Sequence, residues 1–429
     1  MKFGLAKEII TPCFKTRIAC SGEFDAHYQS VHDDLYVRML VMDDGRNKTL
    51  LAAFDLLFHS PDLNDAVAAY ARDAYGICPE LCVTGYTHAH TAPAVRGYNP
   101  GAETEAYEFF LLERAKACLD KAMNSMSDGT LEYGSYCADF NISRRKKTDE
   151  GFRLAPASGR ERDTETAVLA VKDSAGAVRG IVVCYACHPV FYPAKTILSA
   201  EFPGRVTALL DAKYYGSTSL YFQSAGGDVR PADTVVNGTF GPAFDFSAID
   251  RFAAKIADSV SAFIDGEKTE PLPLCLRGAA GVIRLPVEPK PRAYFEAESA
   301  RRKNGPDPNA RNAEILANEY GTKESEVGLR TNLIRLGGNV CIAAMGGEPC
   351  FGVKRIVRDT LPDYRVIFIG YTDSCAYIVS DAERSEGGYE AECHLEYGHL
   401  GPFCPGTDSL YREAFKAYGR RIKDLIPPD

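Results

Sequence analysis

Two histidines, His88 and His90, stand two residues apart in the run Thr87-His88-Ala89-His90-Thr91-Ala92-Pro93. The residues before them, Leu81–Tyr86 (LCVTGY), have the composition of a short buried strand, and Pro93 stops it. In an extended chain, side chains at i and i+2 share a face. The two imidazoles therefore aim together at the strand's C-terminal end, where open α/β sheets place their sites. Paired neutral imidazoles suit a borderline metal such as zinc. The alternative is one buried, hydrogen-bonded histidine and one exposed one. Asp55 follows the apolar run Lys48–Phe54, either as a partner to a metal-bound histidine or as a helix N-cap.

Other strand ends offer further ligands. Cys184-Tyr185-Ala186-Cys187-His188 matches the c-type haem attachment pattern. It closes an apolar strand without an export signal, and no second CxxC completes a zinc site. The two cysteines read as core thiols, and His188, beside Pro189, reads as a third ligand. Gln223–Asp228 (QSAGGD) follows a strand at Ser217–Phe222. Its small residues allow a sharp turn, as at a nucleophile elbow, although Phe222 stands where that motif needs a glycine. Ser224 is thus a nucleophile or part of a plain glycine-rich turn. Glu348, after Gly346-Gly347, is a ligand or part of a surface turn. Tyr371, Tyr377 and Tyr389 lie in loops after a further strand, where tyrosine ordinarily packs. Every candidate lies just past a strand's C-terminal end, where one cleft would form.

The elements that position them alternate loosely. Helices are expected at Pro61–Tyr75, Glu103–Met126, Pro203–Ala212, Phe246–Asp265, Val353–Leu361 and Leu410–Leu425. Strands fall between them, including a hairpin around Gly337-Gly338. Asn141–Lys147 reads as a polar turn, and its Arg144-Arg145-Lys146-Lys147 run as mainly solvated charge. The stretch 287–328 is charged and proline-punctuated, a surface excursion of lid type. The pattern implies an α/β fold, with mixed parallel and antiparallel sheets flanked by helices, in a single large domain over 1–429.

At 429 residues, with 45% hydrophobic and 25% charged residues, the composition is that of an ordinary globular protein with ample core. The net charge of −9 argues against a nucleic-acid partner. No apolar run approaches the roughly 18–20 residues that span a bilayer. The N-terminus, MKFGLAKEIITP, lacks a signal peptide's apolar core, so a cytoplasmic location is expected. The 14 scattered cysteines then read as reduced thiols.

Taken together, the motifs resemble the neutral ceramidase family. THAHTAP at Thr87–Pro93, NISRR at Asn141–Arg145, HP at His188-Pro189, QSAGGDVRP at Gln223–Pro231, GGE at Gly346–Glu348, and GYTDSCAYIVSD with GGYE within Gly370–Glu390 fall in that family's order. The opening GLAKEIITP is similar to its start. The resemblance implies that His88, His188, Glu348 and Tyr377 hold Zn2+. It implies that Ser224 is the active-site serine, and that His90, Arg144 and Tyr389 surround the scissile bond. The activity implied is hydrolysis of a small-molecule amide, with N-acyl lipids included, by serine or by zinc-activated water. The chain ends about forty residues after Tyr389, without the family's signal peptide or C-terminal β-sandwich. Two alternatives stand beside this. One is an HxH metallohydrolase of the amidohydrolase barrel type, which eight histidines placed as these are would serve poorly. The other is a zinc-containing binding protein without catalysis.

Overall fold

The apolar runs form two sheets packed face to face. The structure is a computed structural model that describes residues 1–20, 26–58, 61–95, 101–192, 196–303, 308–373 and 376–423. The larger sheet runs in the order Thr218–Gln223, Val178–Tyr185, Glu165–Asp173, Ser127–Cys137, Lys2–Ile9, Tyr36–Asp43, Lys48–Phe54, Cys82–Tyr86. The smaller runs Arg277–Pro286, Glu326–Gly337, Val340–Met345, Arg365–Ile369. Both are open, so the architecture is not the amidohydrolase barrel.

Strand periodicity explains the layering. Along Tyr36–Asp43, Leu40 and Met42 point into the layer between the sheets, where they join Leu220 with Ile334, Ile342 and Ile367. Val37, Met39 and Val41 point the other way, into a layer covered by helices Pro61–Tyr75 and Ala102–Asn124. A strand buried on both faces is nearly all apolar, and its one buried charge, Arg38, is paired with Asp211. Helices Glu201–Lys213 and Phe246–Asp265 cover the rest of that outer face. The second begins where the Asp245 side chain accepts from Ala248 N. Phe351–Thr360 and Thr407–Lys423 cover the small sheet. Fully burying each of these aliphatic side chains contributes about 1.5–3 kcal/mol.

Three parallel pairs set the site. Lys48–Phe54 pairs with Cys82–Tyr86, Val178–Tyr185 with Thr218–Gln223, and Val340–Met345 with Arg365–Ile369. Their C-terminal ends meet at one edge of the sandwich. There Tyr86 N donates to Tyr371 O at 3.0 Å and Gly370 N to Gln223 O at 2.9 Å.

Two expectations are corrected. Asn141–Thr148 is a strand, not a turn, and it pairs with Gly151–Ala157 and Val229–Pro231. Its polar residues are buried because each has a partner. Asn141 Nδ2 bonds Asp163 O and Ala186 O, and the Arg145 guanidinium, 1% exposed, meets Glu390 and Glu386. Lys146 and Lys147 remain exposed. The 287–328 stretch is a pair of helices, Arg292–Arg302 and Pro308–Asn318, whose Phe295, Ala313 and Leu316 enter the core beneath the small sheet. Its Asn312 Nδ2 bonds Leu395 O and Glu396 O, which anchors the segment that leads to Tyr397.

Candidate metal centre and active site

Strand Cys82–Tyr86 delivers the histidine loop, and the loop then turns sharply. His88 adopts φ 65°, a left-handed conformation that costs a non-glycine residue about 1–3 kcal/mol. Neighbouring chain holds it there: Thr87 N donates to Phe54 O and Ala89 N to Leu56 O. The buried carboxylate of Glu201 accepts from His90 N at 2.9 Å and Thr91 N at 3.2 Å. Tyr192, Glu201 and Tyr371, all near this loop, also have positive φ. Such conformations collect at functional sites.

The turn brings His88 and His90 to either side of His188. His188 Nε2 lies 3.2 Å from His88 Nε2 and 3.0 Å from His90 Nε2. His88 Nδ1 is 3.0 Å from Leu57 O, which fixes the proton on Nδ1 and leaves a lone pair on Nε2. His188 Nδ1 faces Gly226 O in the same way, at 3.4 Å. Asp55 does neither job expected of it: its Oδ2 accepts from Tyr36 N at 2.9 Å, and the Leu57 carbonyl orients His88 instead. Burial, then the charges of neighbouring histidine and arginine side chains, holds His90 and His188 well below the usual histidine range. Both are therefore neutral, the form that binds metal.

Glu348 joins them through a glycine turn. Gly347 has φ 71°, and Glu348 stands in parallel register with Tyr377. Gly227 passes beneath: its N–H donates to Pro349 O at 2.9 Å, and a Cβ there would sit 2.5 Å from Glu348 O. Glu348 Oε2 lies 3.3 Å from His88 Nε2 and 3.7 Å from His188 Nδ1, and it is buried with no hydrogen-bond donor. Oε1 accepts from the Tyr397 hydroxyl. Burial alone would raise the Glu348 pKa; a proton on His88, with the Tyr397 hydrogen bond, outweighs it and holds the carboxyl below its usual value, the part a cation plays when His88 is neutral.

Lone pairs of neutral imidazoles and a carboxylate face one another here, an arrangement that repels unless a cation lies among them. The separations are close to the edge of a tetrahedral N/O zinc shell, about 3.3 Å for bonds of ~2.0–2.1 Å. The residues present fit a divalent metal. The ligand atoms of His88, His90 and His188 lie within 4.8 Å of one another, which places His90 as close to the centre as the other two.

Around this centre, the Tyr377 ring stacks on His188, with centroids 6.4 Å apart and planes at 13°. The Arg144 guanidinium lies 5.1 Å from the Tyr377 ring centroid and 5.6 Å from that of Tyr389, and Arg144 Nε donates to Glu390. The Tyr389 hydroxyl donates to Glu396 Oε2 at 2.7 Å. His88, His90, His188, Glu348, Tyr377, Arg144 and Tyr389 are thus brought together. Ser224 is not: its hydroxyl donates to Asp163 Oδ2 at 2.7 Å, beside Lys354. Strand alternation explains this. Gln223 turns its amide to Thr87 O and Cys187 O on the histidine side, so the next side chain points away. Ser374 lies outside the described residues.

Sequence reasoning missed Tyr397, Glu201 and Arg230. It also took Tyr371 as packing; its ring lies 4.6 Å from His88 and its buried hydroxyl has no partner. Tyr397 and Glu201 stand outside any motif, and only the fold connects them to the site.

Comparison with solved structures finds the same fold. A crystal structure of neutral ceramidase from Pseudomonas aeruginosa matches over 100% of this chain and 75% of its own, with TM-score 0.77 and 16% identity. A structure described as ceramidase complexed with C2 matches over 100% of this chain and 76% of its own, with TM-score 0.76 and 16% identity. The fold is that of the neutral ceramidase structures. No family model and no curated protein matches the sequence. The family resemblance carried by the motifs therefore extends to the whole architecture. Among the described residues, no helix is long and apolar enough to cross a membrane.

Proposed function

We propose that the protein is a zinc-dependent amide hydrolase of the neutral ceramidase kind. One observation carries this: the Nε2 atoms of His88 and His188 face each other at 3.2 Å, and the buried Glu348 Oε2, without a hydrogen-bond partner, lies 3.3 Å from His88 Nε2 at the edge where the parallel strands end. In this reading His88, His188 and Glu348 hold the metal, with Tyr377 beside Glu348 in register as the fourth ligand. Bound zinc supplies Lewis-acid polarisation of a carbonyl and lowers the pKa of water. The chain's own residues do the rest. His90, neutral by burial, takes a proton from the attacking water and returns it to the leaving amine. Arg144 and Tyr389 donate to the developing oxyanion and orient the amide. Ser224, held by Asp163, has no part in bond cleavage, so water is the nucleophile.

The test is hydrolysis of a panel of N-acyl amines, long-chain N-acyl lipids included, by protein loaded with zinc. Cleavage that a chelator abolishes and zinc restores is expected. Full zinc occupancy with no amide cleaved would instead favour a metal-holding binding protein.

A further inference from the structure

The wall of the site carries more positive charge than its own acids balance. Arg144, Arg145 and Arg230 are 3%, 1% and 7% exposed. Arg144 and Arg145 both reach Glu390, at 2.8 and 2.7 Å, and Arg145 also meets Glu386 at 3.2 Å. Arg144 Nη2 is buried without a hydrogen-bond partner. Arg230 has no carboxylate partner among the described residues. Its one hydrogen bond there is from Nη2 to Val190 O at 3.1 Å, and its buried Nε has none. Its guanidinium carbon lies 4.3 Å from the Phe240 ring centroid and 5.8 Å from that of Tyr192, whose ring in turn lies 5.6 Å from His90.

The strand register places the two arginines close together. Arg230 pairs with Ile142 on the adjoining strand, and Arg144 N donates to Asp228 O, so they are diagonal neighbours. A buried guanidinium is expensive unless paired, and the planar fork of each guanidinium suits an oxyanion wherever a donor is unused. A neutral lipid amide would leave Arg230 without a counter-charge and the Arg144 Nη2 without an acceptor.

We propose that Arg230 and Arg144 form a carboxylate subsite beside the metal centre, so that the amide cleaved here bears a negative charge. This rests on the hydrolase reading and narrows its substrate class to two forms. Either the leaving amine is an amino acid, or the acyl group is one half of a dicarboxylic acid. Arg230 acts in binding and not in bond cleavage.

The experiment compares, on zinc-loaded protein, N-acyl amino acids and monoamides of dicarboxylic acids with their uncharged carboxamide counterparts. In the wild type, one carboxylate series is expected to exceed its neutral counterpart in kcat/KM by at least about tenfold, as a paired guanidinium–carboxylate contact warrants. Arg230→Met should erase that preference through KM, with kcat little changed, and Arg230→Lys should restore part of it. Neutral amides cleaved as well as charged ones by the wild type would overturn the subsite and leave the hydrolase standing. Should no amide be cleaved, the hydrolase reading fails and calorimetry with N-acetyl amino acids decides the subsite. Binding to the wild type that is lost in Arg230→Met upholds it, and no binding to the wild type overturns it.

Discussion

Two buried polar clusters lie near the end of strand Thr218–Gln223, and they differ in how they are satisfied. Around Ser224 every group has a partner. Asp163 accepts from Lys354 at 2.7 and 2.8 Å and from Ser224, and Lys354 also meets Glu165 at 3.0 Å. Around His188, the Nε2 atoms of His88 and His188 face each other as acceptors when each keeps its proton on Nδ1, and Glu348 Oε2 has no hydrogen-bond partner. Saturated buried networks rigidify a core, whereas unsatisfied ones call for an explanation, commonly a missing ion. On this contrast we read the first cluster as structural and the second as the candidate site. It also inverts what Ser224 suggests by its sequence context alone.

Substitutions can break the comparison, and the largest effect belongs to the open cluster. His88→Ala or Glu348→Gln should drop hydrolysis and bound zinc below detection together, as metal analysis and an N-acyl amine assay would show. Lys354→Met, in the closed cluster, strands the Asp163 charge and should cost about 3–5 kcal/mol of stability. The denaturation midpoint would report it, with zinc content unchanged. Tyr397→Phe removes the hydroxyl that steadies Glu348 and should weaken zinc affinity by about 10–100-fold. A zinc competition titration measures that loss. Ser224→Ala should be mildest, costing about 1–3 kcal/mol of stability while turnover stays within about threefold. A collapse of turnover with the fold intact would return Ser224 to the mechanism.

The sequence shows the site's outline better than its interior. That His88, His188, Glu348 and Tyr377 fall near one another was legible because each follows an apolar strand and falls in a motif of matching order. The sandwich architecture was legible only as alternation, since which sheet faces which depends on distant pairings. The strand Asn141–Thr148 was hidden by its charge. Arg145 looks solvated until Glu390, some 245 residues away, is placed against it. At Ser224 a glycine-rich turn after a strand fits a nucleophile, and the alternation with Gln223, invisible locally, turns its hydroxyl to Asp163. Arg230 sat inside a quoted motif, but nothing local marks a guanidinium as lacking a counter-ion.

The account stands on one cation held by histidines from two separate strand ends and a glutamate from the other sheet. Zinc titration of chelator-stripped wild-type protein tests it most directly. One equivalent bound tightly is the predicted result, with no proton released from His90 or His188, which burial already keeps neutral. Stripped protein that takes up no zinc, or takes it up equally well after Glu348→Gln and His88→Ala, would contradict it.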